Sequence, residues 1–134
     1  FFLRRMTRVR PPHRLEMNFM REIRRADFLY VANVDGYVGH SAGTEMAYAC
    51  LKGLPIIVAE GVKSFSDDIP LEAQQILRKS ISDILSASDI SQERFKDLKE
   101  ELVKSERINL NEEEKRILQS LVKSLLKDLK SLSL

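Results

Sequence analysis

The sequence lacks several features that would restrict its chemistry or its compartment. It has a single cysteine, Cys50, and therefore cannot form an intramolecular disulfide or a cysteine-based zinc cluster. Its longest central apolar run, residues 54–59, is far shorter than the stretch of about 20 residues that crosses a membrane. At the N-terminus the apolar residues precede the arginines, which reverses the order found in a signal peptide. These absences predict a cytoplasmic protein without a membrane segment.

The sequence also opens without a methionine. Its first residues, 1–5, are apolar and then basic, as if part of a strand had been cut. We therefore expect further residues before Phe1.

Charge is distributed unevenly along the chain. Residues 1–25 contain eight arginines and two glutamates, whereas the net charge of the whole sequence is only +2. A basic arm of this kind can bind nucleic acid or phosphate. Aromatic residues do not interleave with the arginines, so an exposed strand and helix face is the favoured interpretation.

The first half of the sequence predicts an α/β core over residues 1–65. The apolar patterns indicate a strand, a helix, a strand, a loop, a helix and a strand at about 1–9, 14–25, 27–33, 34–40, 41–52 and 54–59. The last four form a βαβ unit, in which Ser41 is expected to cap the helix. We expect a Rossmann- or flavodoxin-like parallel sheet flanked by helices, with 1–9 or preceding residues supplying a further strand.

The second half is poor in residues that interrupt helices. No glycine follows Gly61 and no proline follows Pro70. Helical apolar spacing predicts a C-terminal helical extension over 66–134, with helices at about 66–85, 89–105 and 111–132. Two of these starts resemble capping boxes, formed by Asp89 with Gln92 and by Asn111 with Glu114.

The last of these helices has a heptad spacing over about two heptads, formed by Leu118, Val122, Leu125, Leu129 and Leu132. Packing on the core is the more common cause of such a stripe, and a helix contact between subunits is the alternative.

The loop Asn33–His40 is the best candidate for a ligand site. In open parallel sheets, ligands bind beyond the carboxyl ends of strands, and this loop follows such an end. The next helix starts near Ser41, and its N–H groups and dipole favour an anion or a polar sugar. Gly36 and Gly39 would let a ligand approach the backbone closely.

Two carboxylates near this loop suit the cleavage of a glycosidic bond. Glu45 is predicted in the first turn of the helix, where a carboxylate stays ionised for attack or for base chemistry. Asp35 is the second acid, suited to managing the proton of the leaving group. A dipole-stabilising role for Glu45 and a turn-forming role for Asp35 are the alternatives.

Two other side chains of the loop remain open in role. His40 is a candidate for binding phosphate or relaying a proton, although histidines in loops are often simply exposed. Tyr37 is a candidate lid or stacking residue, or an anchor for the loop. The sequence implies no metal and no cofactor.

Three segments, 26–41, 45–49 and 52–57, together resemble the nucleoside 2-deoxyribosyltransferase family and its relatives. The matching features are Ala26-Asp27 at the strand start, Asp35-Gly36 in the loop, Glu45-Met46-Ala47-Tyr48-Ala49 in the helix and Lys52-Gly53-Leu54-Pro55 before the next strand. The resemblance implies a Rossmann-like fold and cleavage of the bond between a base and a (deoxy)ribose through a covalent glycosyl-glutamate. Glu45 matches the nucleophile of the family, and Ser41 falls in the stretch that contacts sugar or phosphate.

The resemblance also implies a homo-oligomer in which a neighbouring subunit completes the pocket. Its substrate would be a nucleoside or a nucleoside monophosphate, and the basic arm would favour the monophosphate. Asn33, Gly36, Tyr37, Gly39, His40 and Ser41 are the expected substrate-binding residues.

The sequence differs from the family pattern at three places. The first strand and its loop are missing, and the acid of the preceding helix has no clear equivalent, Glu16 and Glu22 being the nearest. The aspartate-serine-glycine-threonine stretch of the family is not matched at its spacing, because Ala42-Gly43-Thr44 directly precedes Glu45. These differences keep two alternatives open: a non-catalytic nucleotide-binding module, and nucleic-acid binding through the basic arm. A cytokinin-type phosphoribohydrolase would require a glycine-rich signature that the sequence lacks.

Overall fold

The computed structural model of the chain describes residues 3–5, 21–104 and 109–132, with side chains over 21–104 and 109–124. The strands are β1 (Leu3–Arg5), β2 (Phe28–Val31), β3 (Tyr37–Val38), β4 (Ile56–Val58), β5 (Ser64–Phe65) and β6 (Ile81–Ile84). The helices are α1 (residues 21–25), α2 (His40–Leu51), α3 (Leu71–Lys79), α4 (Gln92–Lys104) and α5 (Glu112–Leu132).

Four strands form one parallel sheet in the order β1-β2-β4-β6. Leu29 of β2 pairs with Ile56 of β4, and α2 connects these two strands, so the predicted βαβ unit is confirmed. The short strands β3 and β5 form a second, two-stranded parallel sheet. The predicted class, an α/β protein with a parallel sheet flanked by helices, is also confirmed.

The two faces of the sheet bury different side chains because successive residues of a strand point to opposite faces. Leu29 and Val58 face a cluster that includes residues of α2, α3 and α5. Phe28 and Tyr30 face the other way and pack with Phe95 of α4. All four residues of β2 are buried, which explains why this strand has a continuous apolar sequence rather than an alternating one.

The prediction of one helix over about 66–85 is wrong at both ends, because the observed helix is shorter. A turn in which the Ile69 N–H donates to the Ser66 carbonyl precedes α3, which begins at Leu71. The helix ends at Lys79, and Ile81–Ile84 form the strand β6, which pairs with β4. The apolar residues of this segment fit helical spacing equally well in so short a stretch, so tertiary pairing decides the outcome. The segment predicted as a purely helical extension therefore supplies one strand of the main sheet.

The two predicted capping boxes have different outcomes. At α5 the box is confirmed: the Asn111 N–H donates to Glu114 Oε1 at 3.1 Å, and the Glu114 N–H donates to Asn111 Oδ1 at 2.8 Å. At α4 the prediction is wrong, because the Arg94 N–H donates to Ser91 Oγ at 3.0 Å and Asp89 lies in a preceding 3-10 turn.

The last helix, α5, packs against α2 and α3 within the described residues. Leu118, Leu121 and Val122 are buried in the same cluster as Ile56 of the sheet, which supports core packing for this part of the heptad stripe. The remainder of the stripe lies outside the described side chains. No helix in the described part of the chain has both the length and the apolar character needed to cross a membrane.

Candidate functional site

The predicted loop Asn33–His40 follows the carboxyl end of β2, and most of it has regular secondary structure. A 3-10 turn occupies Val34–Gly36, and Tyr37–Val38 form β3, which pairs with β5. The segment then enters α2 at His40. The carboxyl edge of the sheet and the N-terminus of α2 therefore meet at this segment, as the sequence predicted.

The amide of Asn33 joins the ends of two neighbouring strands. Its Nδ2 donates to the Glu60 carbonyl oxygen at 2.7 Å, and its Oδ1 accepts from the Glu60 N–H at 2.9 Å. Only 3% of Asn33 is exposed. A buried amide requires such partners, so the side chain that the sequence assigned to substrate binding has a structural role here.

Asp35 and Gly36 adopt left-handed backbone conformations in the 3-10 turn. Asp35 has a φ of 57°, is exposed, and donates its N–H to Glu60 Oε2 at 2.9 Å. Gly36 has a φ of 73°, and a Cβ at this position would lie 2.6 Å from the Gly61 carbonyl oxygen. Close contact with the protein's own backbone thus already requires glycine at 36, and the approach of a ligand at this residue stays a prediction.

The N-cap of α2 lies two residues earlier than predicted. Gly39 is the N-cap, and the Gly43 N–H donates to its carbonyl oxygen at 2.8 Å. Ser41, predicted as the cap, is an exposed residue inside the first turn, so that prediction is wrong. Tyr37 is 50% exposed, and its ring lies beside Gly39, where a Cβ would be 3.6 Å from Tyr37 Cε2.

His40 lies against Asp68, an acid that was not predicted as part of the site. Its Nδ1 is 3.0 Å from Asp68 Oδ2, and the Ser66 hydroxyl donates to the other carboxylate oxygen of Asp68. The pKa of Asp68 is lowered, first by the Ser66 hydroxyl and to a smaller extent by His40. Both ring nitrogens of His40 are shielded from solvent, and no described residue hydrogen-bonds its Nε2. In this conformation the ring is held by the protein rather than presented to a ligand.

Glu45 is only 2% exposed and lies between buried Thr44 and Met46. Because α2 begins at His40, Glu45 is in its second turn and the prediction of a first-turn position is wrong. The two predicted acids lie in contrasting environments: Asp35 is exposed in the turn, and Glu45 is buried on α2.

A cleft of about 460 Å³ lies along the carboxyl end of β4 and the outer strand β6. Its lining includes Gly61, Val62, Arg78 and Asp83. Gly61 belongs to both the cleft and the contact with Gly36, so the cleft borders the candidate loop. No group of three or more acidic, histidine or cysteine side chains suited to a metal occurs in the described part of the chain.

Neither Glu60 nor Asp68 was among the site residues predicted from the sequence. Glu60 follows β4 at the same edge of the sheet as Asn33, so the rule that polar residues after parallel strands meet would have indicated it. Asp68 carried no comparable signal, because its contact with His40 depends on the course of the chain after β5.

Comparisons of the chain with protein-family models, with curated proteins and with solved structures gave no significant match.

Proposed function

We propose that the chain is a Rossmann-like enzyme that cleaves or transfers the N-glycosidic bond of a nucleoside or nucleoside monophosphate, in the manner of the nucleoside 2-deoxyribosyltransferases. The observation that supports the proposal is Glu45, a buried carboxylate on the helix that follows the carboxyl edge of the sheet; the exposed acid Asp35 lies in the turn before that helix. The sequence resemblance also implies that Glu45 is the nucleophile.

In the proposed reaction a Glu45 carboxylate oxygen attacks C1′ of the sugar and the bond from C1′ to the base nitrogen breaks. Asp35 delivers the proton that the departing base requires, and a covalent glycosyl-glutamate remains. Water or a second base then attacks C1′, Asp35 takes up the proton that the attacking group loses, and the bond from C1′ to Glu45 breaks to release the carboxylate.

The proposal extends to the setting of the reaction. A neighbouring subunit would complete the pocket in a cytoplasmic homo-oligomer, and the arginines of 1–25 would attract a substrate phosphate. The exposed apolar side chains of Val34 and Tyr37, 71% and 50% accessible, offer the surface that a base or a second subunit would cover.

A non-catalytic nucleotide-binding module is the second candidate. It is favoured by the departure of the sequence from the family pattern, in which the acid of the helix before the strand has no clear equivalent here. Such a site would recognise a nucleotide without cleaving it.

Product analysis tests the enzyme. Three proteins would be compared: the parent, Glu45→Gln and the control Glu100→Ala, which changes an exposed acid of α4. Each would be incubated with deoxynucleosides and deoxynucleoside monophosphates, with and without an acceptor base. We expect free base from the parent and the control, and a loss of about a thousandfold in Glu45→Gln. A new nucleoside would make the enzyme a transferase.

Folding of each variant would be checked by circular dichroism, because Glu45 is buried. The proposed enzyme activity would be refuted if the folded parent released no base from any substrate. Binding of a monophosphate by that inactive parent would then favour the nucleotide-binding module.

A further inference from the structure

Glu60 contacts the candidate loop at three points. Its carbonyl oxygen and its N–H are bound by the Asn33 amide, at 2.7 and 2.9 Å, and its side-chain Oε2 accepts from the Asp35 N–H at 2.9 Å. The first two contacts join the ends of β2 and β4 through the backbone of Glu60. Only the third uses its side chain.

The residues after Glu60 continue the same contact. The Lys63 N–H donates to the Gly36 carbonyl oxygen at 2.9 Å, and Gly36 lies directly against the Gly61 carbonyl. The segment 60–63 thus contacts the 3-10 turn at both Asp35 and Gly36.

Asp35 needs such support because its backbone is unfavourable. A φ of 57° is unfavourable in a residue with a side chain and persists where surrounding contacts determine the conformation. The hydrogen bond from the Asp35 N–H to a carboxylate is of the stronger, charge-assisted kind.

We infer that Glu60 is a positioning residue, whose carboxylate fixes the left-handed conformation at Asp35 and thereby places the Asp35 carboxylate for its part in the reaction. The inference rests on the proposed function for what Asp35 does, and on the contacts of Glu60 for how Asp35 is held. Glu60 itself exchanges no proton with the substrate and bonds the main chain instead.

Three variants separate this role from a general loss of stability. Glu60→Ala removes the acceptor for the Asp35 N–H while the backbone contacts to Asn33 remain, and Glu60→Gln retains an acceptor oxygen. Glu100→Ala, an exposed acid on α4, is the control for loss of one negative charge. Because the side chain of Glu60 is exposed, we expect all three proteins to fold.

The first readout is hydrogen exchange of the Asp35 backbone amide, followed by NMR. We expect exchange to accelerate by about tenfold in Glu60→Ala and to stay within about twofold of the parent in Glu60→Gln and Glu100→Ala. Unchanged exchange in Glu60→Ala would overturn the inference.

The second readout is the kinetics of base release. We expect kcat to fall by about tenfold in Glu60→Ala with KM within about twofold, and Glu60→Gln to restore most of kcat. Faster exchange without a fall in kcat would also overturn the inference. A parent that releases no base, while its Asp35 amide shows the expected protection and the expected response to Glu60→Ala, would instead refute the proposed function.

Discussion

The imidazole of His40 and the carboxylate of Asp68 are in direct contact, with Nδ1 3.0 Å from Oδ2, at the start of α2. The Ser66 hydroxyl binds the same carboxylate from the other side. Hydrogen bonds and a nearby ring that stabilise the charged form of Asp68 lower its pKa below the ordinary value of 3.8. The contact therefore ties the first residue of α2 to the turn that precedes α3.

Asp68→Asn tests the acid dependence of this contact. A carboxyl whose pKa is lower in the folded than in the unfolded protein stabilises the fold above its unfolded pKa, and this stabilisation is lost as the pH falls through the folded pKa. Asp68→Asn should therefore lower the free energy of unfolding at pH 7 by less than about 1 kcal/mol, since the contact is half exposed. The difference should shrink below about pH 3.8.

Urea unfolding at pH 7 and pH 3 measures this difference. The neighbouring variant Asp67→Asn makes the same charge change and should have a smaller effect at pH 7. A deficit in Asp68→Asn that is equal at both pH values would contradict the assignment.

Cys50 is expected to be chemically inert in the folded protein. Burial raises the pKa of its thiol to about 11, and the Ser80 hydroxyl offsets only part of that effect. Because the thiolate is the reactive form, iodoacetamide at pH 8 should label the native protein at least about tenfold more slowly than the protein in urea. Mass spectrometry counts the label directly, since Cys50 is the single cysteine. Equal labelling rates would show that the thiol is accessible.

Elements with strong local signals were predictable from the sequence. The buried runs around β2 and β4, the glycine that ends the crossover helix and the Asn111–Glu114 capping box are encoded within a few residues of one another. Their bounds shifted by a few residues, but their types and order are those predicted.

Features that depend on tertiary contacts were not predictable in the same way. The strand β6 has only four residues, and its apolar positions match helical spacing as well. The contacts of Asn33 with Glu60 and of His40 with Asp68 join residues far apart in sequence, so no local sequence pattern predicts them. The assignment of Asn33 and His40 to substrate binding stays a prediction, and their contacts with Glu60 and Asp68 were not anticipated from the sequence.

Gly36→Ala should destabilise the protein, whereas Gly61→Ala should not. At Gly36 a Cβ would combine a φ of 73° with a distance of 2.6 Å to the Gly61 carbonyl oxygen, and backbone has little room to move. At Gly61 the nearest atom to a Cβ would be Ile84 Cδ1 at 4.0 Å. We expect a loss of about 2–4 kcal/mol for the first and less than about 0.5 kcal/mol for the second.

Urea unfolding of both variants measures these losses, and each variant serves as the reference for the other. Similar stability of Gly36→Ala and the parent would mean that the turn at 34–36 does not have this conformation in solution.

The outer strand β6 carries its own protection against pairing with a second sheet. It lies at the edge of the described sheet, and the Leu85 N–H beyond it donates to the Val58 carbonyl oxygen at 2.8 Å. Since successive N–H groups of a strand point to opposite sides, the Ile84 N–H points away from β4, and there it donates to Asp83 Oδ1 at 2.8 Å. The carboxylate thus occupies a donor that another strand would otherwise use, and its charge opposes close approach.

Asp83→Ala should therefore promote association through this edge. It frees the Ile84 N–H and leaves the Ile84 side chain, already 55% exposed, on a less polar surface. We expect the apparent mass in light scattering to rise with concentration in Asp83→Ala beyond that of the parent. Asp97→Ala, which removes an exposed acid from α4, should behave as the parent does. Association that increases equally in both variants would indicate an effect of net charge, and the edge would then need another explanation for its resistance to pairing.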